Sequence, residues 1–480
     1  MSRFVSPRLL CALAALFVLT MGARAETLED ALVESYNTNP QILSERAHLR
    51  AVDEGVPQAL ANWRPTITLS GSAGATRSTN SPYAPVLPVL VPFPTGACAV
   101  PPCVFNIPSS LPAYNNETPQ TLDVNISQPI YRGGRTVAAT AQAEKNVEAE
   151  RARLLATEET VFFAVAQAYL DVVRDQATLE LSIANEQLLR KQLESVQAQF
   201  KVGVVTRTDV AQAEAQLAGA VADRHQAEGN LQVSRANYER AVGHLPAKLA
   251  APKLRPVLPG SREEALTLAA NKNPNVIAAL LTEDAAREAV KVVRGQLLPT
   301  LSIVGDYQRL NDVAFPHSDT TSASILARMT MPLYEGGAVY SATRQAEQTV
   351  GQLKGQTDDT RRASVQTATS AWETVASTRA RRQALLETVK AAEIAFQGIQ
   401  QEQKVGTRTV LDVLITEQTL FSDRVSLVAT EHDLALAEFN LAAQTGRLTA
   451  VDLRLNVKPY DVNAHYRAVR DKWIGFGSGE

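Results

Sequence analysis

A chain of 480 residues that is 45% hydrophobic but only 5% aromatic, and dominated by Ala, Gln, Glu, Leu, Val and Arg, favours long helices over a compact mixed core. A net charge of −3 with no dense cluster of Lys and Arg excludes electrostatic recognition of nucleic acid. The six histidines (48, 225, 244, 317, 432 and 465) lack metal-ligand spacing and no phosphate-binding Gly-rich loop occurs, so no cofactor is expected and energy must come from a partner.

The chain opens with Arg3 and Arg8, an apolar run from Leu9 to Met21, and Ala23-Arg24-Ala25. This reads as a secretory signal peptide over residues 1–25. The run is short for a membrane span of about 20 residues, and no later stretch reaches that length. Cys11 leaves with the signal, so Cys98 and Cys103 are the cysteines of the exported chain. In an oxidising compartment two close cysteines on a loop are expected to pair; a metal site would lack nearby His ligands.

Helical spacing runs from Thr27 to Asn62, with Leu28, Ala31, Leu32, Ser35 and Tyr36 on one face. Asn39-Pro40 breaks it into a short and a longer helix, and Trp63-Arg64-Pro65 ends it. Alternation then predicts a strand, with Ile67, Leu69, Gly71 and Ala73 opposite Thr66, Thr68, Ser70 and Ser72. Asn80 to Pro119, Pro-rich and holding both cysteines, reads as one long loop. A second strand sets Leu122, Val124 and Ile126 against Thr121, Asp123, Asn125 and Ser127. It ends at Gln128-Pro129-Ile130-Tyr131-Arg132-Gly133-Gly134, where Pro and paired Gly suit a sharp change from strand to helix.

From Arg135 to Phe200 the pattern is helical without a proline, a rod of about 100 Å. Gly203 reads as a tight turn at the tip of a helical hairpin. Its return arm runs from about Thr208 to Val242, and the Pro-rich residues 246–260 form a linker.

The series then recurs. Asn37-x-Asn39-Pro40 matches Asn271-x-Asn273-Pro274, and Pro65 matches Pro299. Leu301 to Tyr307 and Ala323 to Leu333 alternate as two further strands. The first strand-to-helix junction matches Met331-Pro332-Leu333-Tyr334-Glu335-Gly336-Gly337. Gly203, Asp209 and Gly243 match Gly406, Asp412 and Gly446. A duplication gives repeats over 26–245 and 261–447, separated by the linker and followed by a tail over 448–480. In the tail Tyr460, Tyr466, Trp473 and Phe476 either pack on the outside of the helices or belong to a partly ordered end.

Within each repeat two shorter helices end to end match one long rod, so the helical layer is about 100 Å deep. The strands are long enough to cross an outer membrane, which takes about 9–11 residues. Four strands are too few for the smallest transmembrane barrels, of about eight, and an open sheet edge cannot face lipid. Several copies must therefore assemble; two, three or four are allowed.

The duplicated Asn-Pro, the junction Gln-Pro-Ile-Tyr-Arg-Gly-Gly with its echo Met-Pro-Leu-Tyr-Glu-Gly-Gly, and Val-Gly-Thr-Arg-Thr-Val-Leu-Asp-Val-Leu resemble the TolC family of outer-membrane efflux channels over about residues 27 to 447. The resemblance implies a mainly α fold with a β-barrel portion: a homotrimer with a 12-stranded transmembrane barrel in outer-membrane lipid and a periplasmic helical tunnel. It implies a passive exit duct for small molecules or type I protein secretion, served by an inner-membrane pump and a periplasmic adaptor protein.

It also implies a periplasmic gate. Asp412 falls at the family's ring aspartate, Arg408 at its gating arginine, and Asp209 at the acidic partner on the first tip. Ile415 stands where a second ring acid belongs, and Gln403 replaces the gate tyrosine. Gly203 and Gly406 are the tip turns. Against the gate stands a plainer reading, that Asp209 and Asp412 cap the helix starts after a Gly turn. The rival functions are a non-pore periplasmic coiled-coil spacer, which gives no reason for four strands, and a secreted enzyme, which lacks a catalytic constellation.

Overall fold

The computed structural model describes residues 25–80, 89–90, 104–105, 113–313 and 317–477. Residues 1–24 of the expected signal peptide, and the expected Cys98–Cys103 bridge, lie outside them. Among the described residues no helix is long and apolar enough to cross a membrane. The chain forms two compact units that cut across the repeats: Met1–Pro57, Ala141–Arg287 and Glu347–Glu480 in one, Gln58–Thr140 and Glu288–Ala346 in the other.

Each repeat starts with a short helix, α1 (Leu28–Thr38) or α6 (Arg262–Lys272), followed by α2 (Pro40–Asp53) and α3 (Gly55–Leu60) or by α7 (Pro274–Arg294). Asn39 makes the break between α1 and α2. Its side chain accepts from the Gln41 N–H at the start of α2, while its Nδ2 donates 3.1 Å to the Ala241 carbonyl. Asn273 does the same, accepting from Asn275 and donating 3.1 Å to Gln444. The duplicated Asn-Pro thus caps one helix and ties it to the end of a hairpin arm.

The long helices α4 (Arg135–Lys201) and α8 (Ala338–Lys404) have 67 residues each. They return through α5 (Arg207–Val242) and α9 (Val410–Gln444). The main core of the helical unit gathers Leu32 and Tyr36 of α1, Phe162 and Tyr169 of α4, Tyr238 of α5 and Phe439 of α9. Burial of such side chains is worth about 1.5–3 kcal/mol each, and it fixes which faces of the helices turn inward. Tyr169 places its hydroxyl 2.6 Å from the Ala250 carbonyl, and Glu26 pairs with Leu249, so linker and chain start are laced together.

The tail docks on the same core through Leu448, Ala450 and Leu453. Two carboxylates of α4 hold it: Glu159 accepts the Leu448 N–H at 3.4 Å and Glu158 the Ala450 N–H at 2.7 Å. Arg46 lies 4.4 Å from the centre of the Tyr36 ring and 5.0 Å from that of Tyr460, and Arg151 lies over Tyr466. Trp473 and Phe476 are exposed. The tail continues through α10 (Ala464–Val469).

The second unit centres on a four-stranded antiparallel sheet of β1 (Thr66–Ala73), β6 (Gln120–Arg132), β7 (Thr300–Asn311) and β8 (Asp319–Thr330), in that spatial order. Register aligns Ile67, Ile126, Gly305 and Ile325 across it, then Leu69, Val124, Tyr307 and Ala323. One step away stand Thr68, Asn125, Asp306 and Ser324, then Ser70, Asp123, Gln308 and Ser322. Four separate alternations therefore sum to one apolar and one polar face.

The stretch from Asn80 to Pro119 is not one loop. β2 (Thr76–Asn80) leads into it and pairs with β5 (Ala113–Glu117), and within it β3 (Val89–Leu90) pairs with β4 (Val104–Phe105). Backbone pairing draws these stretches, of two to five residues each, and they are too short to carry an alternation to read.

Candidate functional site at the hairpin tips

Both tips are built from the same two local devices. At the first, Gly203 takes φ +80°, with its N–H on the Phe200 carbonyl and the Val204 N–H on the Gln199 carbonyl. At the second, Gly406 takes φ +82°, with its N–H on Gln403 and the Thr407 N–H on Glu402. This is a Schellman ending, and it needs a residue that tolerates left-handed backbone.

Three residues on, a capping box starts the return helix. The Asp209 carboxylate accepts from the Thr206 N–H and hydroxyl, both at 2.7 Å, while the Asp209 N–H donates to the Thr206 hydroxyl at 3.3 Å. Thr409 and Asp412 repeat it at 2.9, 2.8 and 3.2 Å. The cap is thus the Thr, with the Asp at the third helical position answering it. The Thr206 hydroxyl and N–H hold the Asp209 carboxyl below its ordinary range. The Thr409 N–H and hydroxyl do the same for Asp412.

The tips differ in charge. Arg408 donates 2.9 Å to Glu402 across the second turn, and the pair is half exposed at both ends. That contact raises the guanidinium's pKa further. At the matching places of the first tip stand Val205 and Gln199, and Val205 packs instead against a small core. Glu402 was not singled out in the sequence, although an acid on the last turn before a Gly and an Arg just after it is a readable signal. Within one chain Arg408 meets Glu402, not Asp209, whose carboxylate is engaged by Thr206.

The same core brings the two hairpins together. Val410 and Leu414, at the start of α9, are buried with Leu189 and Val196 of α4 and Ala213 of α5. Arg408, Asp209 and Asp412 therefore sit at one end of the helical unit.

The strand-to-helix junctions are matched too. Gly133 and Gly134 have φ +63° and +74°, and Gly336 and Gly337 have +62° and +84°. Pro129 lies in β6 at a bulge before Tyr131, a position that suits a residue without an N–H. Pro332 follows the end of β8.

A family model described as "Outer membrane efflux protein" matches residues 31–244 and 265–447. The chain is 33% identical over 460 residues to the outer membrane efflux protein BepC of Brucella suis, covering 95% of this chain and 94% of that one. It is 25% identical over 466 residues to the outer membrane protein TolC of Vibrio cholerae, covering 95% and 98%. Among solved structures, the CmeC outer membrane channel of Campylobacter jejuni superposes with a TM-score of 0.72 at 14% identity, over 88% of this chain and 86% of that one. VceC of Vibrio cholerae gives 0.70 at 20% identity, over 87% and 96%. At those identities the structural likeness is one of fold.

Proposed function

The chain belongs to the outer membrane efflux protein family, and on that premise we propose that it is the passive exit duct of a larger machine, fed by an inner-membrane pump through a periplasmic adaptor. The family is one of channels, not enzymes. Its place is the outer membrane, and its fold pairs a helical tunnel with a barrel closed by three chains of four strands. The cargo, small molecules or a secreted protein, is set in this reading by the pump that delivers it.

The observation that carries the reading is the sheet. Its apolar face leaves Ile67, Leu69, Ile325 and Met329 between 68% and 82% exposed in the single chain. Its outer strands β1 and β8 each have one side unpaired within the sheet. Lipid suits the first feature, and further copies of the chain satisfy the second.

In this proposal the tips are the gate. Arg408 of one tip bridges to Asp209 of the neighbouring one in the closed ring, and Asp412 faces the passage. Glu402 gives Arg408 a second partner close by, so opening exchanges one exposed ion pair for another. Exposed pairs of this kind are weak, because water screens them, and so within an adaptor's reach to move. Single-channel recording in planar bilayers tests this: Arg408→Ser is expected to raise the resting conductance. Asp412→Asn is expected to weaken block by trivalent cations added on the tip side. Wild-type conductance and block in both variants would remove the gate assignment and leave the channel standing.

A further inference from the structure

A little over one turn beyond Asp412, α9 carries Glu417, which the gate does not use. It is 4% exposed, and its Oε1 has no hydrogen-bond partner. It lines a cavity of about 350 Å³ between α4, α8 and α9, with Leu188 of α4, Phe396 of α8, and Leu420 and Phe421 of α9.

The charged groups around this cavity are already engaged. From α8, Glu393 faces it, and from α9, Arg424, but these two pair with each other at 2.7 Å. From α4 comes Asn185, a neutral amide, while Glu186 beside it is taken by Arg190 at 2.5 Å and Arg224 at 2.6 Å. Gln397 and Gln400 of α8 are neutral as well. Among the described residues no cation pairs with Glu417. A buried carboxyl in that position is costly when ionised, and it must hold a proton or take a cation from outside. Burial pushes it up to about 7, so both forms are within reach near neutral pH.

The cavity's chemistry selects among cations. One free carboxylate with side-chain amides falls short of the roughly six oxygens that a hard divalent ion needs. Two phenyl rings offer faces that attract an alkylammonium. The volume sits at the small end of ligand pockets, about 300–1,000 Å³.

We propose that this cavity binds a compact organic monocation, its ammonium group against the Glu417 carboxylate and its apolar body against Phe396 and Phe421. The site is separate from Asp209, Arg408 and Asp412. An occupant touches three helices at once, and Leu414, one turn earlier on α9, is part of the core that joins the two hairpins.

The test is isothermal titration of the purified, detergent-solubilised assembly with benzyltrimethylammonium chloride, with benzyl alcohol as the neutral comparator. Ionised Glu417 is the binding form, so affinity rises with pH through about 7. Saturable binding is expected at about pH 8, and roughly tenfold or greater loss at about pH 5.5. Glu417→Gln, close in size, is expected to lose about tenfold at the higher pH and to level the pH dependence. Phe421→Leu keeps the carboxyl and is expected to cost about threefold to tenfold through the lost ring face. Equal affinity in wild type and Glu417→Gln would overturn the proposal. So would competition by potassium chloride as effective as that by the organic cation. If Glu417→Gln does not assemble, unchanged affinity in Phe421→Leu overturns it instead.

Discussion

The two halves of the duplication share their backbone devices and differ in what packs around them. At the tips the left-handed glycines, the Schellman bonds and the Thr–Asp boxes agree within a few tenths of an ångström. Where the first tip turns Val205 into a core, the second turns Arg408 outward to Glu402. At the strand-to-helix junctions the contrast is steric. A Cβ on Gly133 would overlap the Gly295 carbonyl oxygen and lie 2.8 Å from the Leu298 Cβ, whereas one on Gly336 would meet nothing within 4 Å. Local hydrogen-bonding chemistry thus survived the divergence of the repeats, while surroundings supplied from far along the chain did not.

The largest expected effect breaks or confirms that steric contrast. Gly336→Ala should cost only the left-handed strain of a side chain, about 1–2 kcal/mol. Gly133→Ala should add overlap with a backbone carbonyl that cannot swing away, about 1–3 kcal/mol more. Gly295→Ala should cost the overlap alone, without left-handed strain, because its Cβ would lie 2.6 Å from the Gly133 carbonyl oxygen. Thermal unfolding of the purified assembly reads all three, and equal shifts for Gly133→Ala and Gly336→Ala would dissolve the distinction.

A pH experiment sets the tail, which has no counterpart in the first repeat, against the tips. Burial pushes the Glu159 carboxyl up to about 8, from an ordinary 4.5. Its protonated form favours the fold, so this stability is full below about pH 4.5 and is lost as pH rises through about 8. Glu159→Gln keeps an oxygen for the Leu448 N–H and removes the loss. It should melt above wild type at alkaline pH and converge with it in acid. The tips have the opposite sign. Asp209 and Asp412 are held below the ordinary 3.8, so their contribution is present above that pH and is lost on acidification. A pH-independent difference between Glu159→Gln and wild type would remove the carboxyl from this role.

The smallest effect tests the likeness of the tips. Thr206→Ala and Thr409→Ala should each cost about 1 kcal/mol through the lost cap. Hydrogen exchange at the first amides of α5 and α9 should accelerate to a similar degree. A clear inequality would mean that Val205 or the Arg408–Glu402 pair, rather than the shared box, sets tip stability.

What the sequence determined by itself is what neighbouring residues decide. The left-handed glycines, the Asn-Pro breaks, the long proline-free helices and the period-two strands depend on a few adjacent side chains and on backbone sterics. The turns and breaks are legible to the residue and twice over because of the repeat, whereas strand ends are not: β7 runs on to Asn311 and β8 spans Asp319–Thr330, where alternation alone suggests an end at Tyr307 and a strand from Ala323 to Leu333. Residue type alone suits Asp209 and Asp412 to the cap position that Thr206 and Thr409 take, since both types favour it. The paired arm around Asn80 to Pro119 leaves no mark in the residue pattern, because backbone bonds alone draw it. Tertiary structure decided the rest. Only register puts Ile67, Ile126 and Ile325 on one face, and only docking of the tail makes Glu158 and Glu159 its anchors. The burial of Glu417 beside a cavity arises where three helices from both repeats converge. A local pattern shows which way a residue turns on its own element, but its partners come from residues tens to hundreds of positions away, and packing brings those together.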